Sequence, residues 1–340
     1  MMNIYPRTHE RIQEMLDDKV FPGAVFAFID GDKVQQYTTG VAATFPAVEP
    51  LREGMLYDLA SVTKVVVTTP LLLQLFKEGK FSFDQTVQSI LPAFASPKGT
   101  IRHLLTHASD INGYIKNRDG LSAEELRAAI LQLEPGEKLG KAVKYTDTGF
   151  VIAGFIIEAL TGKSVAENFE ERIKQPLKMM KSTYFPADPM ECTPTQLHPV
   201  RGLIRGTVHD PKAFVLGEHC GSAGLFATLS DMVRFSQMML HEGEWEGARI
   251  LKKETVRMLL RKWGQLSGDH RSVGWNLLGY ETDHTLLHTG YTGTFLVLDP
   301  IDKQGFIFFS NRVHTEDHNP EWIMECDKLI AAYQKERKHN

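Results

Sequence analysis

The sequence predicts an α+β fold: an antiparallel sheet flanked by helices, built from both chain ends, with an all-helical lobe inserted between them. Three observations predict it. Two strand-like runs joined by a turn dipeptide stand near the N-terminus, helix-capping patterns fill the middle of the chain, and strand-like runs return from Gly274. The expected division is a sheet domain from residues 1–60 and 217–340 and a mostly helical domain from residues 61–216, with the active site at the seam. A chain of 340 residues suits such a pair of lobes, since domains usually run to about 100–200 residues.

Taken in order, Ile12, Met15 and Leu16 have helical spacing behind Thr8, which predicts a surface helix with Thr8 as its N-cap. Gly23 to Ile29 and Val34 to Thr39 flank Asp30-Gly31, a pair suited to positive φ, and are expected to form a hairpin. From Ser61 to about Leu177 the signals are helical. Ser122 with Glu125 and Ser164 with Glu167 make capping boxes, and Asp147 is placed to cap a helix that Gly162 ends. Pro70, inside the helical run that follows Ser61, predicts a kink because proline lacks an amide proton. Another helix-rich stretch follows Thr228. Leu286 to His288, Phe295 to Leu298 and Phe306 to Ser310 then read as strands, and Asn319-Pro320 starts a last helix carrying Trp322, Ile323, Leu329 and Ile330.

Hydrophobic residues make up 42% of the chain and charged residues 24%, the balance of an ordinary globular protein. The net charge is −4 and the charges are interspersed, which excludes the basic footprint of a nucleic-acid or anionic-membrane binder. Cys192, Cys220 and Cys326 are odd in number, widely spaced and free of any C-x-x-C pattern. They predict buried thiols rather than a disulfide framework or a zinc ribbon, and no metal or cofactor is expected. Met1 to Lys19 lacks the apolar centre of a secretory signal, and the apolar runs Val20 to Ile29, Val65 to Phe76 and Phe150 to Ile157 are too short or interrupted to span a bilayer. A soluble cytoplasmic protein is the expectation.

Three short segments carry chemistry. Ser61-Val62-Thr63-Lys64 puts a serine and a lysine three residues apart, on one face if helical. A serine hydroxyl needs an adjacent base, and Lys64 serves if burial or nearby cations lower its pKa toward neutrality, as a seam between lobes can. Alone, S-x-x-K arises by chance about once in a chain of this size, and it equally describes a capping serine beside a solvated lysine. Tyr145-Thr146-Asp147 precedes a helix, where the phenol can pass a proton and Asp147 can simply cap. His288-Thr289-Gly290-Tyr291 opens a strand-and-turn segment. There Gly290 lets a substrate backbone approach, Tyr291 offers a backbone N–H, and His288 and Thr289 can donate to an anionic group, although a plain turn fits the same residues.

S-x-x-K, then Y-x-D, then H-T-G, in this order and at these separations, resembles the serine β-lactamase and penicillin-binding protein superfamily, in particular its class C-like branch. Ile101-Arg102-His103-Leu104-Leu105-Thr106-His107, Gly221-Ser222-Ala223-Gly224-Leu225 and His288 to Gly293 match that branch too, so the likeness covers nearly the whole chain. The resemblance implies a β-lactamase/transpeptidase-like fold and an acyl-enzyme mechanism. It implies Ser61 as nucleophile, Lys64 as activating base, Tyr145 as second proton-transfer residue, and the backbone N–H groups of Ser61 and Tyr291 as oxyanion hole. Asp147, His288, Thr289 and Gly290 fall in its substrate-binding places. The implied substrate is a small molecule or short peptide, with β-lactams as acylating ligands.

The chain departs from the pattern twice. His288 stands where class C β-lactamases carry lysine, which removes a permanent cation and points away from efficient β-lactam turnover, toward the D-alanyl-D-alanine carboxypeptidases and D-aminopeptidases of the branch. Asp147 stands where an asparagine usually contacts the substrate amide; ionised, it accepts but cannot donate, and it either repels a substrate carboxylate or pairs with Lys64. The expected function is a D-stereospecific, carboxypeptidase-type serine hydrolase. A carboxylesterase on the same fold is the nearest rival, followed by a β-lactamase, a catalytically dead binding module, and a metal hydrolase suggested by His103 and His107 at i, i+4 spacing. The last lacks the glutamate that should follow the first histidine, where Leu104 stands.

Overall fold

The computed structural model describes residues 4–263, 270–279, 285–317 and 319–338. Its centre is a seven-stranded antiparallel sheet. The strands are β1 (Gly23–Asp30), β2 (Lys33–Ala43), β3 (Glu49–Pro50), β4 (Asn276–Leu278), β5 (Thr285–Gly290), β6 (Thr294–Asp299) and β7 (Gln304–Ser310). Their order across the sheet is β4-β5-β6-β7-β1-β2-β3, so the two chain ends meet where β7 pairs with β1, from Ala24 opposite Ser310 to Asp30 opposite Gln304. The Asp30-Gly31 turn is present, with Gly31 at φ 59°.

Because both faces of the sheet are covered, the central strands are continuously apolar rather than alternating with polar residues. Side chains still alternate in direction. Phe26 and Phe28 of β1 and Phe306 and Phe308 of β7 enter one core with the helices α1 (Pro6–Asp17) and α5 (Asn319–Arg337). Val25, Ala27 and Ile29 with Ile307 and Phe309 enter the other, which holds α2 (Thr69–Lys77), α3 (Thr148–Thr161) and α4 (Leu229–Leu240). A buried ion pair and a buried charged hydrogen bond fasten α5. Arg337 pairs with Asp299 at 2.9 Å and donates to Thr285, and Glu336 accepts from the hydroxyl and amide of Thr8.

That last contact corrects one expectation. Thr8 is not a cap, because α1 begins at Pro6 and the Thr8 hydroxyl is spent on Glu336. Both predicted capping boxes are formed, Gly162 ends α3 at φ 73°, and Thr228 caps α4. The capping role of Asn319 lies outside the described side chains. Where the Pro70 kink is expected, residues Lys64–Thr68 form a π-helical turn in which the Thr69 amide donates to the Lys64 carbonyl, and Pro70 then sits in the first turn of α2, where a missing N–H costs nothing. Cys192, Cys220 and Cys326 are free and buried. Among the described residues no single helix is long and apolar enough to cross a membrane.

Candidate active site

Ser61 is held by a short support that the sequence hides. Tyr57–Asp58 pairs with Phe226–Ala227, and the chain then turns through Ala60, whose φ of 45° is rare for a residue with a side chain. The buried Asp58 carboxylate makes this turn possible, accepting the amides of Ala60 at 2.8 Å and His209 at 2.7 Å. Burial pushes its pKa up to about 6. Ser61 then opens the helical run, and Lys64 arrives on the same face with its Nζ 2.7 Å from Ser61 Oγ.

Lys64 is fully buried and donates three times: to Ser61 Oγ, to Asp147 Oδ1 at 2.7 Å and to the Ser222 carbonyl at 3.0 Å. Burial alone would push its pKa down. The Asp147 carboxylate and Tyr145 outweigh it and hold the ammonium above the ordinary lysine value. The lowered pKa that would let Lys64 act as a base is therefore not met, because, of the two roles left open for Asp147, the pairing with Lys64 is the one formed. Asp147 is likewise not a cap: α3 begins after it, but its side chain makes no capping bond and turns to Lys64. Burial raises its carboxyl, and the adjacent ammonium more than reverses that, leaving it below the usual carboxylate value.

Tyr145 faces the same space, half-exposed, with the Lys64 nitrogen 5.3 Å from its ring centroid. Its ring stacks on His107 at 4.3 Å, and the Arg271 guanidinium lies 5.5 Å away. His107 also grips the backbone on both sides of Tyr145, its carbonyl accepting from the Lys144 amide and its Nδ1 from the Thr146 amide. This gives the Ile101–His107 stretch a use that its spacing misrepresents. The helix Ile101–Leu105 ends before His107, and His103 instead completes a capping box with Thr100. Among the described residues no cluster of three metal-binding side chains occurs.

At the end of β5 the residues of the third segment part company. His288 is buried, its Nδ1 near the Thr289 carbonyl and its Nε2 without a partner. Burial and then the charges of Lys64 and Arg271 push its imidazole well below the ordinary value, so it is neutral. Thr289 is exposed to the cavity. Gly290 has a reason of its own in the fold: a Cβ there would lie 2.5 Å from the Leu59 carbonyl oxygen and closer still to Thr294 Oγ1. The bare Cα is needed by the backbone that supports Ser61. The Tyr291 amide, just past the strand, meets no acceptor among the described residues, while its carbonyl accepts from buried Arg312, which is paired with Asp317.

A cavity of about 300 Å³ joins these groups. Ser61, Tyr145, Arg271, Asn276, His288, Thr289, Gly290, Tyr291 and Arg312 line it together with Trp322, Ile323, Cys326 and Asp327 of α5, and Lys64, bonded to both Ser61 and Asp147, lies beside the nucleophile. The roles of Arg271, His107, Asp58 and Arg312 escaped the sequence reading, which weighed His107 only as a metal ligand; Asp58 stands three residues before Ser61, whereas no spacing rule would have brought Arg271 and Arg312 here.

A family model described as Beta-lactamase matches residues 9–325. A protein of Escherichia coli (strain K12) named "Putative D-alanyl-D-alanine carboxypeptidase" is 29% identical over 332 residues, spanning 82% of this chain and 75% of that protein. The solved structure of "EstCE1, a hydrolase with promiscuous acyltransferase activity" superimposes with a TM-score of 0.77 at 18% identity, covering 96% of this chain and 98% of that one. A class C beta-lactamase in complex with cefoxitin superimposes at 0.75, also at 18% identity, covering 97% of this chain and 98% of the other.

Proposed function

The chain belongs to the beta-lactamase family and is a serine hydrolase, and from that premise we propose that it is a D-stereospecific, carboxypeptidase-type peptidase in which Ser61 forms the acyl-enzyme. The observation that carries this reading is the 2.7 Å contact between Ser61 Oγ and Lys64 Nζ at the floor of a cavity that Tyr145 also faces. In this reading Ser61 attacks the carbonyl carbon, its proton leaves through Lys64 and Tyr145 to the departing amine, and water releases the acyl group. The amides of Ser61 and Tyr291 hold the oxyanion, and Thr289 with Arg271 meets the substrate carboxylate that neutral His288 cannot attract. The lobes of the seam are then the sheet domain of 1–60 and 217–340 and the helical domain of 61–216.

The apolar side chains Trp322, Ile323 and Cys326, which line the cavity along with Asp327, favour a second reading, a carboxylesterase using the same serine. Labelling by a fluorescent penicillin or a fluorophosphonate, lost in Ser61→Ala, is the test of the nucleophile; equal labelling of both proteins would sink it. Release of D-alanine from short peptides supports the peptidase, and turnover of p-nitrophenyl esters with no D-peptide cleaved supports the esterase.

A further inference from the structure

An ammonium carries three protons, and Lys64 has three acceptors within 3.0 Å: Ser61 Oγ, Asp147 Oδ1 and the Ser222 carbonyl. A nitrogen saturated in this way has no lone pair for the Ser61 proton. It must give one proton away before or while it takes another. The Ser222 carbonyl cannot keep a proton, Ser61 is the group being deprotonated, and Tyr145, which also borders the amine, is in the proposed function the group that passes a proton on to the leaving amine; the acceptor that is already an anion is the carboxylate. Asp147 is free to serve because its side chain makes no capping bond to α3. Its side chain is 32% exposed, so it can exchange protons with solvent, whereas Lys64 is sealed at 0%.

We propose that Asp147 is the residue that holds the proton Lys64 sheds, so that Ser61, Lys64 and Asp147 form a proton relay in line with the nucleophile. The inference rests on Ser61 being that nucleophile. In the acylation step the Ser61 O–H bond breaks as its oxygen bonds to the substrate carbonyl carbon, and the proton forms a bond to Lys64. At the same time the Lys64 N–H pointing at Asp147 breaks and an O–H forms on the carboxylate. Charge balances: the pair starts as ammonium and carboxylate, and ends as ammonium and carboxylic acid beside a new oxyanion. As the tetrahedral adduct collapses, the Asp147 O–H breaks and returns its proton to Lys64, while Lys64 gives one through Tyr145 to the leaving amine. Lys64 thus stays cationic next to the developing negative charge throughout. Asp147 acts through Lys64 and positions its proton; it does not touch the substrate carbonyl.

The charged and titratable groups facing this pair are Asp210 and Lys212 at the start of the Pro211–Leu216 helix, His288 of β5, Tyr145 and His107 from the adjoining loops, and Arg271. Asp210 favours a protonated Asp147, and the cations Lys64 and Lys212 oppose it. The active form carries one proton fewer than the fully protonated pair. With Asp147 present, the acid limb of kcat/KM therefore follows a carboxyl held below its ordinary value. In Asp147→Asn it must follow Lys64 itself.

The experiment is the pH dependence of the acylation burst with a p-nitrophenyl ester, run on wild type, Asp147→Asn, Asp147→Glu and Ser61→Ala. Wild type and the glutamate variant should stay active down to the carboxylate range. The asparagine variant should lose activity with an acid limb at least about two pH units higher, since even a buried lysine without an anion rarely titrates below about 5.5. Activity should return as pH rises. An asparagine variant with the wild-type acid limb, or with its whole defect in KM, would overturn the relay and make Asp147 a substrate contact. A glutamate variant that stops near neutrality would overturn it as well, which keeps the test decisive should the asparagine variant not fold. A burst that survives in Ser61→Ala would instead defeat the nucleophile assignment on which the relay rests.

Discussion

Replacing Gly290 by alanine tests the claim that this glycine serves the nucleophile's backbone. The added Cβ would stand 2.5 Å from the Leu59 carbonyl oxygen, whereas real Cβ atoms essentially never come within 3.0 Å of such an atom. Something must therefore move by 3.0 − 2.5, about 0.5 Å. Thr294 cannot absorb the strain, because its hydroxyl is closer still and is bonded to the same Leu59 carbonyl. The movement falls on Leu59–Ala60, one residue before Ser61, or on β5 and the Tyr291 amide. A displacement of about 1 Å from the productive geometry costs roughly 10²-fold in rate, near 2.7 kcal/mol, so half of it costs about 1.4 kcal/mol, or tenfold. Overpacking should add a loss of about 1–3 kcal/mol in stability. The assay is the second-order rate of Ser61 acylation by a fluorophosphonate, with urea unfolding alongside. A Gly290→Ala protein that is acylated at the wild-type rate would refute the reasoning, whatever its stability.

Other outcomes follow from the groups around the site. Arg271→Ala should lower kcat/KM for a D-peptide with a free carboxylate about 10- to 100-fold, the value of a charge-assisted hydrogen bond, and leave a neutral p-nitrophenyl ester within about twofold; equal losses on both substrates would remove Arg271 from carboxylate recognition. Asp58, raised from 3.8 to about 6 by burial, binds its proton more tightly folded than unfolded, so its contribution to stability is complete below about pH 4 and lost as pH rises through 6. The difference of 6 − 3.8, about 2.2 pH units, corresponds to roughly 3 kcal/mol. The unfolding free energy of wild type minus that of Asp58→Asn, from urea titrations, should therefore rise by up to about 3 kcal/mol between pH 7 and pH 4, and parallel curves would contradict it.

Much of the architecture was legible in short stretches. The hairpin at Asp30-Gly31 and the boxes at Ser122 and Ser164 depend on neighbours within a few residues, which is why they form where local chemistry places them. Where reading failed, a distant partner had taken over the side chain. Thr8 had the right chemistry for a cap and gave its hydroxyl to Glu336, 328 residues away. Asp147 stood at the right place for a cap and turned instead to Lys64, 83 residues away, the pairing already offered as one of its two alternatives.

The sequence by itself determined that serine and lysine share a helical face and that a tyrosine and an H-T-G strand end follow in order, because order and spacing are properties of the chain. Only the tertiary structure decided the protonation of these groups and the company they keep. Lys64 is an ammonium because an aspartate from another segment reaches it in a sealed interior, His288 is neutral because the same interior excludes water and surrounds it with cations, and Arg271 belongs to the site only because folding carries it there. Charge in a low-dielectric space depends on distance through that space, and the separation of residues along the chain does not contain it.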